Sequence, residues 1–152
     1  MPSRRSHVAM TQDEIAALLS EGRTLVLGSH GPRGTIHMVP LWYVVLDGVV
    51  WSWTYARSQK ARNLAREATA SGLVELGDRY DELRGVLIEG RAVLSDDPVL
   101  VRRVGEGLLA RYELGSAEAA EAMRRSASKR VAIRLEPERI VSWDHRKLGG
   151  RY

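Results

Sequence analysis

The chain has 152 residues, 44% of them hydrophobic and 28% charged, which fits one globular domain over residues 1–152. It contains no cysteine, which excludes disulfides, thiolate zinc sites and cysteine nucleophiles, and its four histidines are too scattered to predict a metal site. The net charge of +4 at pH 7 suits an anionic small molecule or a nucleic acid as ligand. No apolar run is long enough for a membrane span and no signal peptide is recognisable, so we expect a cytoplasmic protein.

The first third of the chain predicts a helix followed by strands. Thr11 and Glu14 have the spacing of a capping box, which predicts a helix ending near Gly22. Apolar stretches then predict three strands, over residues 24–30, 35–46 and 49–55. The Asp-Gly pair at 47–48 is a strong two-residue hairpin signal between the last two strands. Pro40 has no N–H to donate, so we expect it at a bulge or on an edge strand.

The rest of the chain contains both helical and extended patterns, in no regular order. A helix starting at Ser58 has one face formed by Ala61, Leu64, Ala65 and Ala68. The later segments predict strands over 71–78 and 83–96, helices over 98–112 and 117–125, and closing strands over 129–137 and 138–144. Regular strand–helix alternation is missing, so the prediction is a mainly β protein with short helices (α+β), built as a small antiparallel barrel. We expect residues 1–10 and 145–152 to be flexible tails.

The helix after the third strand begins with an unusual concentration of positive charge. Arg57, Lys60 and Arg62 surround its start, and no acidic residue appears before Glu67. A helix N-terminus disfavours cations, at roughly 0.3–1 kcal/mol each, but it favours a bound phosphate. The charges are therefore better interpreted as ligands for an anion than as a solvated basic face, which is the commoner use of such runs. Asn63 is a candidate neutral donor to the same anion.

Two motifs give the chain a family resemblance. They are S-x-K-x-R-N-L, from Ser58 to Leu64, and I-E-G-R-A-x-L, from Ile88 to Leu94. Together, in this order, they resemble the split β-barrel flavin and deazaflavin oxidoreductases, the pyridoxamine 5'-phosphate oxidase-like superfamily. The pattern looks closest to the actinobacterial branch that uses coenzyme F-420, and it covers residues 11–143. The resemblance implies a six-stranded antiparallel split β-barrel of the FMN-binding type, which forms a homodimer with a cofactor groove at the interface.

The resemblance also implies a set of cofactor-binding residues. Lys60 and Asn63 fall on phosphate-contacting positions of the family. The backbone of the second strand would lie along the tricyclic ring of the cofactor, and the end of the third strand would complete the ring pocket. The predicted cofactor-binding residues are therefore His37, Val39, Pro40, Trp53, Thr54, Arg57, Ser58, Gln59, Lys60, Arg62 and Asn63. His37 is the one candidate for hydrogen bonding or proton donation at the ring, and a purely structural role for it is equally compatible with the sequence.

The predicted function is oxidoreduction: hydride transfer from reduced F-420 to a small, conjugated organic acceptor. Such chemistry needs position and water exclusion from the protein rather than a nucleophile. FMN is the alternative cofactor, and a cofactor-binding barrel without turnover is the alternative class. No R-x-H substrate signature is found, so pyridoxamine phosphate is not expected as a substrate. Partners other than a second copy and a small molecule are not expected; barrels that bind single-stranded nucleic acid lack the phosphate-binding turn after the third strand.

Overall fold

The computed structural model describes residues 3–113 and 116–150. Within them, the α-helices are α1 (Arg4–Val8), α2 (Gln12–Glu21), α3 (Gln59–Arg66), α4 (Pro98–Tyr112) and α5 (Ala117–Ser126). The strands are β1 (Leu25–His30), β2 (Ile36–Leu41), β3 (Val44–Leu46), β4 (Val49–Tyr55), β5 (Thr69–Leu76), β6 (Arg84–Ser95) and β7 (Arg130–Asp144). Short 3-10 helices cover Tyr80–Glu82, Ala127–Lys129 and His145–Leu148.

The strands form one antiparallel sheet in the order β2-β1-β5-β6-β7-β4-β3. Its two edge strands, β2 and β3, are consecutive in the chain, and only Trp42 and Tyr43 lie between them. The three peptide steps from Leu41 to Val44 span at most about 11 Å, which is little more than two strand spacings. The sheet therefore has to curl until its edges approach at this junction. The result is a curled half-barrel, mainly β with short helices, as the sequence predicted.

The signals that depend only on neighbouring residues are confirmed. Thr11 Oγ1 accepts from the N–H of Glu14 at 3.2 Å, and the Glu14 carboxylate accepts from the N–H of Thr11 at 2.6 Å, so the capping box is complete. Asp47 and Gly48 both have positive φ, 51° and 76°, as a tight two-residue hairpin requires. Pro40 lies on β2, an edge strand, where its missing N–H breaks no central ladder.

The prediction of one strand over 35–46 is wrong, because the chain leaves the ladder at Trp42 and Tyr43. Side chains take over the hydrogen bonds that a strand partner would make. The N–H of Tyr43 donates to Tyr112 Oη at 3.0 Å, and Ser52 Oγ donates to the carbonyl of Trp42 at 2.6 Å. The first half of the segment therefore pairs with β1 and the second half with β4. The sheet has seven strands, whereas the family resemblance implied six.

The two strands predicted over 129–137 and 138–144 are one continuous strand, β7. Its partner β6 pairs along the whole length, with Gly90 opposite Pro137 and Glu89 opposite Arg139. Glu138 is thus an extra residue at a bulge, and a bulge is where a strand tolerates proline. A side chain at Gly90 would meet the carbonyl of Glu136, so the close approach requires glycine there. Pro137 does interrupt the regular pairing, as the sequence indicated, but it causes a bulge within one strand and not a break between two strands.

The apolar side chains form two clusters, one inside the curled sheet and one where α4 packs against the outside of β4. Helix α3 closes an end of the sheet with Ala61 and Leu64, as predicted. Ala65 was predicted on the same face but is exposed, because α3 ends at Arg66 and the chain turns into β5 before the stripe is complete. The fully buried polar residue of the helix, Asn63, takes part in the contact instead.

The two terminal segments contact each other where the structure describes them. Helix α1 packs against the 3-10 helix His145–Leu148. Lys147 Nζ donates to the carbonyl of Ala9 at 2.8 Å, and the N–H of Met10 donates to Ser142 Oγ at 3.0 Å. The flexibility expected for residues 1–10 and 145–152 stays a prediction, and residues 1, 2, 151 and 152 lie outside the described part.

Candidate functional site

An opening in the curled sheet lies between β2 and the second half of β4. Strand β2 pairs only with β1, and residues 52–55 of β4 pair only with β7, because β3 is too short to reach them. Each side therefore presents a strand edge without a strand partner. We call this place the β2–β4 opening. It holds the predicted ring-contacting residues His37, Val39, Pro40, Trp53 and Thr54 on its two sides.

Helix α3 contacts β4, on one side of the β2–β4 opening, and β1, the strand that pairs with β2 on the other side. Its N-terminal cap, Ser58, accepts a hydrogen bond from the N–H of Ala61 at 3.2 Å, which confirms the predicted cap. Ser58 Oγ also contacts Thr54 Oγ1 at 3.1 Å, and so ties the helix to β4. Further along, Asn63 Nδ2 donates to Ser29 Oγ of β1 at 3.2 Å. Helix α3 is thereby tied to β4 at its start and to β1 further along.

Lys60 is the cation most tightly built into this turn. Its Nζ donates to Thr54 Oγ1 at 3.1 Å, and its side chain is half-buried. Burial lowers the pKa of Lys60 from its ordinary value, and the positive charge of Arg130 lowers it further. None of the ion pairs among the described residues includes Lys60. The fold therefore holds a desolvated cation at a helix N-terminus without an acid to stabilise it, which an anion would do.

The other charged and polar residues of the turn differ in position. Arg57 and Arg62 are exposed and join no ion pair in the described part of the chain, so they surround the site rather than line it. Gln59 Nε2 donates to Asn63 Oδ1 at 2.8 Å. Asn63 itself is 0% exposed, and its amide is engaged by Gln59, Ser29 and Arg66. These buried hydrogen bonds give Asn63 a role in positioning the start of α3. Its contact with a cofactor stays a prediction.

The β2 side of the opening offers one unsatisfied polar atom. His37 stands opposite Ser29 in the register of β1 and β2. It is half-buried, and its Nδ1 is buried with no hydrogen-bond partner among the described residues. Buried ring nitrogens are normally paired, so an orphan at an open strand edge fits a position that a bound group completes. Val39 is half-buried and Pro40 exposed on the same strand.

On the β4 side, Thr54 and Trp53 face opposite ways, because successive residues of a strand alternate. Thr54 faces α3, whereas the Trp53 ring packs against α4 at Gly105, where a Cβ would clash with it. Trp53 is only 8% exposed. Its second contact is the guanidinium of Arg130, whose Cζ lies 4.4 Å from the ring centroid. The structure therefore places Trp53 beside Thr54 in the chain but on the other side of the strand.

Arg130 is a residue that the sequence analysis missed. It lies at the first position of β7 and pairs with Tyr55, so its guanidinium also lies 4.1 Å from the Tyr55 ring centroid. Arg130 Nε donates to Ser126 Oγ at 3.0 Å. Seventy residues separate it from Lys60 in the sequence, and only the register of β4 with β7 brings them near each other. No local motif could have found it.

A cavity of about 450 Å³ lies on the α4–α5 side of Trp53, away from the start of α3. Of the predicted site residues, Trp53 alone lines it. Its walls carry both signs of charge, and Arg124 pairs with Glu106 at 2.8 Å. The candidate anion site is therefore the start of α3, whose cations have no acidic partner among the described residues, and not the cavity.

The described residues show neither a metal-binding cluster nor a membrane-spanning helix. Across residues 3–113 and 116–150, no three histidine, aspartate or glutamate side chains come together in a group that could hold a metal ion. In the same residues, every helix is too short or too polar to cross a bilayer.

Comparison with solved structures places this geometry among known proteins. A conserved hypothetical protein, Rv2991 from Mycobacterium tuberculosis, is 40% identical, with a TM-score of 0.89 and coverage of 99% of this chain and 95% of that one. A protein named F420 reductase is 20% identical, with a TM-score of 0.68 over 86% of this chain and 98% of that one. A FAD-binding protein from Mesorhizobium loti is 16% identical, with a TM-score of 0.67 over 88% of this chain and 94% of that one.

The last two similarities concern the fold alone, because their identities are low. Comparison with curated proteins found no match. The sequence profile of the family described as pyridoxamine 5'-phosphate oxidase matches residues 11–144, which confirms the resemblance predicted from the two motifs. The chain therefore belongs to the pyridoxamine 5'-phosphate oxidase family.

Proposed function

We propose that this protein is an oxidoreductase that binds the deazaflavin coenzyme F-420 in the β2–β4 opening and transfers a hydride to a small, conjugated organic acceptor. The observation that carries the proposal is Lys60, a half-buried cation at the N-terminus of α3 without an acidic partner in the described part of the chain. In this arrangement the cofactor phosphate is bound by Lys60 and the free N–H groups of the turn. Arg57 and Arg62 attract the anion from solvent.

The chemical step draws on the cofactor, which supplies the hydride when bound. The chain's own residues position it. The open edges of β2 and β4 offer backbone groups to a planar ring, and His37 Nδ1 is available to hydrogen-bond the ring or to move a proton. Ser58 and Thr54 hold the turn at a fixed distance from the ring pocket. No nucleophilic side chain is required.

Two alternatives use the same site. FMN also carries a phosphate and a planar ring, and one structural neighbour is named as a FAD-binding protein. A cytoplasmic barrel that binds a cofactor without turnover would show the same cations and the same opening. Titration of the purified protein with F-420 and with FMN by calorimetry separates them, followed by absorbance assays for oxidation of the reduced cofactor by candidate acceptors. Micromolar binding of F-420 and acceptor-dependent oxidation are expected; binding of neither cofactor contradicts the proposal.

We also propose that the protein is a homodimer. The outward face of β2 carries Ile36 and Met38, which are 59% and 63% exposed. The next row on the same face starts at Pro40 and runs across the sheet through Val26, Leu73 and Leu87. Such a continuous apolar surface is normally covered by a partner. A second copy would cover it and complete the cofactor groove from the other side.

The dimer is tested by placing a charge on this face. Light scattering at micromolar concentration should give a dimer mass for the wild type and a monomer mass for Met38→Asp. The matched control is Val99→Asp, at a residue that is 77% exposed on the first turn of α4 and away from β2. That variant should remain dimeric. A monomeric wild type, or equal effects of both changes, would contradict the interface.

A further inference from the structure

The cavity between α4 and α5 is separate from the candidate cofactor site, and we call it the α4–α5 cavity. Its volume of about 450 Å³ lies in the range of small-molecule sites. Trp53 and Gly105, which are both buried, form its inner wall, and charged residues of the two helices form its rim. Because Trp53 and Thr54 face opposite sides of β4, the strand separates this cavity from Lys60.

Apolar side chains line the α4–α5 cavity from both helices. Met123 lies on α5 and Ala127 directly after it, one helical turn apart, and Leu109 lies on α4. All three are only half-buried, and α5 has no buried residue at all. An amphipathic helix gains most of its stability by burying its apolar face, so the apolar side of α5 lacks part of its cover. A ligand with an apolar body would supply that cover.

One cation at the rim of the α4–α5 cavity has no acidic partner. Of the two glutamates that line it, Glu106 pairs with Arg124 at 2.8 Å. The other, Glu121, pairs with Arg125 at 3.7 Å. Arg102 also lines the cavity, one turn before Glu106, and joins no ion pair in the described part of the chain. A single exposed arginine offers less to a phosphate than the start of α3 does, but its planar fork of donors suits one carboxylate.

We propose that the α4–α5 cavity is a second ligand site, and that it takes a small aromatic molecule with one carboxylate. The aromatic body packs between Trp53 and Met123, because indole rings and thioether sulfurs both make favourable contacts with aromatic rings. The carboxylate binds Arg102 at the rim. One acidic group is expected and not two, because the lining glutamates repel a second negative charge. This inference goes beyond the proposed function and does not depend on it.

The test titrates the purified protein with 2-naphthoate and with 2-naphthamide, which has the same rings without the charge. NMR spectroscopy follows the indole N–H signals of Trp53, assigned with Trp53→Phe, and of Trp143, which packs at Gly85 and does not line the cavity. We expect both probes to shift the Trp53 signal and to leave the Trp143 signal in place. The affinity for 2-naphthoate should be about threefold to tenfold higher. An unshifted Trp53 signal at millimolar 2-naphthoate would overturn the inference.

Two arginine variants test the contact with the carboxylate. Arg102→Met should lower the affinity for 2-naphthoate by about threefold to tenfold and leave that for 2-naphthamide unchanged. Arg103→Met is the matched control, because Arg103 is the next residue of α4 and is also exposed, but pairs with Asp47 at 2.8 Å and does not line the cavity. It should bind both probes as the wild type does. Equal affinity of the wild type for the two probes, or equal losses in the two variants, would overturn the inference.

Two further variants separate the α4–α5 cavity from the β2–β4 opening. Ala127→Leu fills part of the cavity and should weaken the binding of both probes, whereas Lys60→Ala should change neither. Loss of probe binding in Lys60→Ala would place the probes in the β2–β4 opening and overturn the inference. The melting temperature of each variant without probe shows whether it folds, and if Ala127→Leu does not, Lys60→Ala and the arginine variants still decide. Failure to bind F-420 and FMN would contradict only the proposed function.

Discussion

The two ends of β7 use charge in opposite ways. At its start, Arg130 lies among aromatic rings without a carboxylate partner in the described part of the chain. At its end, the Asp144 carboxylate is bonded to Arg146 at 2.9 and 2.7 Å. Nearby pairs join Arg84 to Glu21 and Lys147 to Glu14. We call this second region the C-terminal ion cluster.

The comparison separates cations that have an acidic partner from cations that have none among the described residues. In the C-terminal ion cluster each cation has its acid: Lys147–Glu14 joins the 3-10 helix His145–Leu148 to α2, Arg84–Glu21 joins β6 to α2, and Arg146–Asp144 is a local pair. Arg130 has no acid among the described residues, and neither do the cations at the start of α3, Lys60, Arg57 and Arg62. Like charges held together reduce folding stability unless something else compensates. This difference is what supports the proposal that the cations at the start of α3 bind an anionic ligand.

The largest expected effect is on binding and tests the first region. Lys60→Ala should weaken F-420 or FMN binding by about 1.5–3 kcal/mol, or roughly tenfold to a hundredfold, because a charge-assisted bond to phosphate is lost. Stability without cofactor should change little, since one hydrogen bond to Thr54 is lost but a desolvated, repelled charge is removed. Calorimetric titration and the melting temperature of the cofactor-free protein measure the two effects. A large drop in melting temperature with normal affinity would make Lys60 structural.

An intermediate effect, on the free energy of unfolding, is expected at Asn63, which is a predicted cofactor contact and is also buried in the fold. Asn63→Ala removes a side chain that is 0% exposed and leaves Ser29 and Gln59 without their partner. We expect a loss of about 2 kcal/mol in the free energy of unfolding, because buried polar groups are left unsatisfied and a small cavity opens. Urea denaturation measures it. Arg62→Ala, one position earlier and exposed, is the control and should stay within about 0.5 kcal/mol of the wild type; an equal loss in both variants would contradict the burial argument.

The smallest effect concerns the C-terminal ion cluster and its pH dependence. Hydrogen bonding from Arg146 holds the pKa of Asp144 below its ordinary 3.8. A lowered folded-state pKa stabilises the fold above the unfolded-state pKa, and this contribution disappears as the pH falls through the folded-state value. Asp144→Asn should therefore cost about 1 kcal/mol at pH 7, and its difference from the wild type should shrink below about pH 4. Urea denaturation across pH values checks this.

The control for this change is Arg139→Ala. Arg139 also forms an ion pair on β7, with Glu89 at 2.9 Å, but its side chain is 63% exposed. Exposed pairs contribute little, so a change below about 0.5 kcal/mol is expected at all pH values. If Arg139→Ala and Asp144→Asn had the same effect, burial would not be what gives the C-terminal ion cluster its stability.

The parts of the fold that local chemistry decides were predictable from the sequence. The capping box at Thr11, the hairpin at Asp47 and Gly48, and the cap at Ser58 all appear where predicted. Each depends on residues no more than three positions apart. The bounds of α4, Pro98–Tyr112, follow from proline at its start and an unbroken apolar stripe.

The parts that register decides were not predictable. The break at Trp42 and the continuity of β7 depend on which strands lie alongside, and the sequence carries no local sign of that. The same holds for the candidate site. The α3 turn could be found as a run of cations, but Arg130 is brought to the end of β4 by the pairing of β4 with β7. Trp53 shows a third limit: it is next to Thr54 in the sequence, but adjacent strand residues face opposite sides, and its contact with a cofactor ring stays a prediction.

The junction at Trp42 and Tyr43 has a mechanical consequence for the opening beside it. Because these two residues connect β2 to β3, and Ser52 Oγ donates to the carbonyl of Trp42, the flanks are fastened together at that end. The separation between β2 and the end of β4 is therefore fixed at this junction. It can widen only at the far end of the opening, beside His37 and the start of α3. For the proposed cofactor, this geometry favours entry at that end, with the ring between the two strands and the charged tail near the cations at the start of α3.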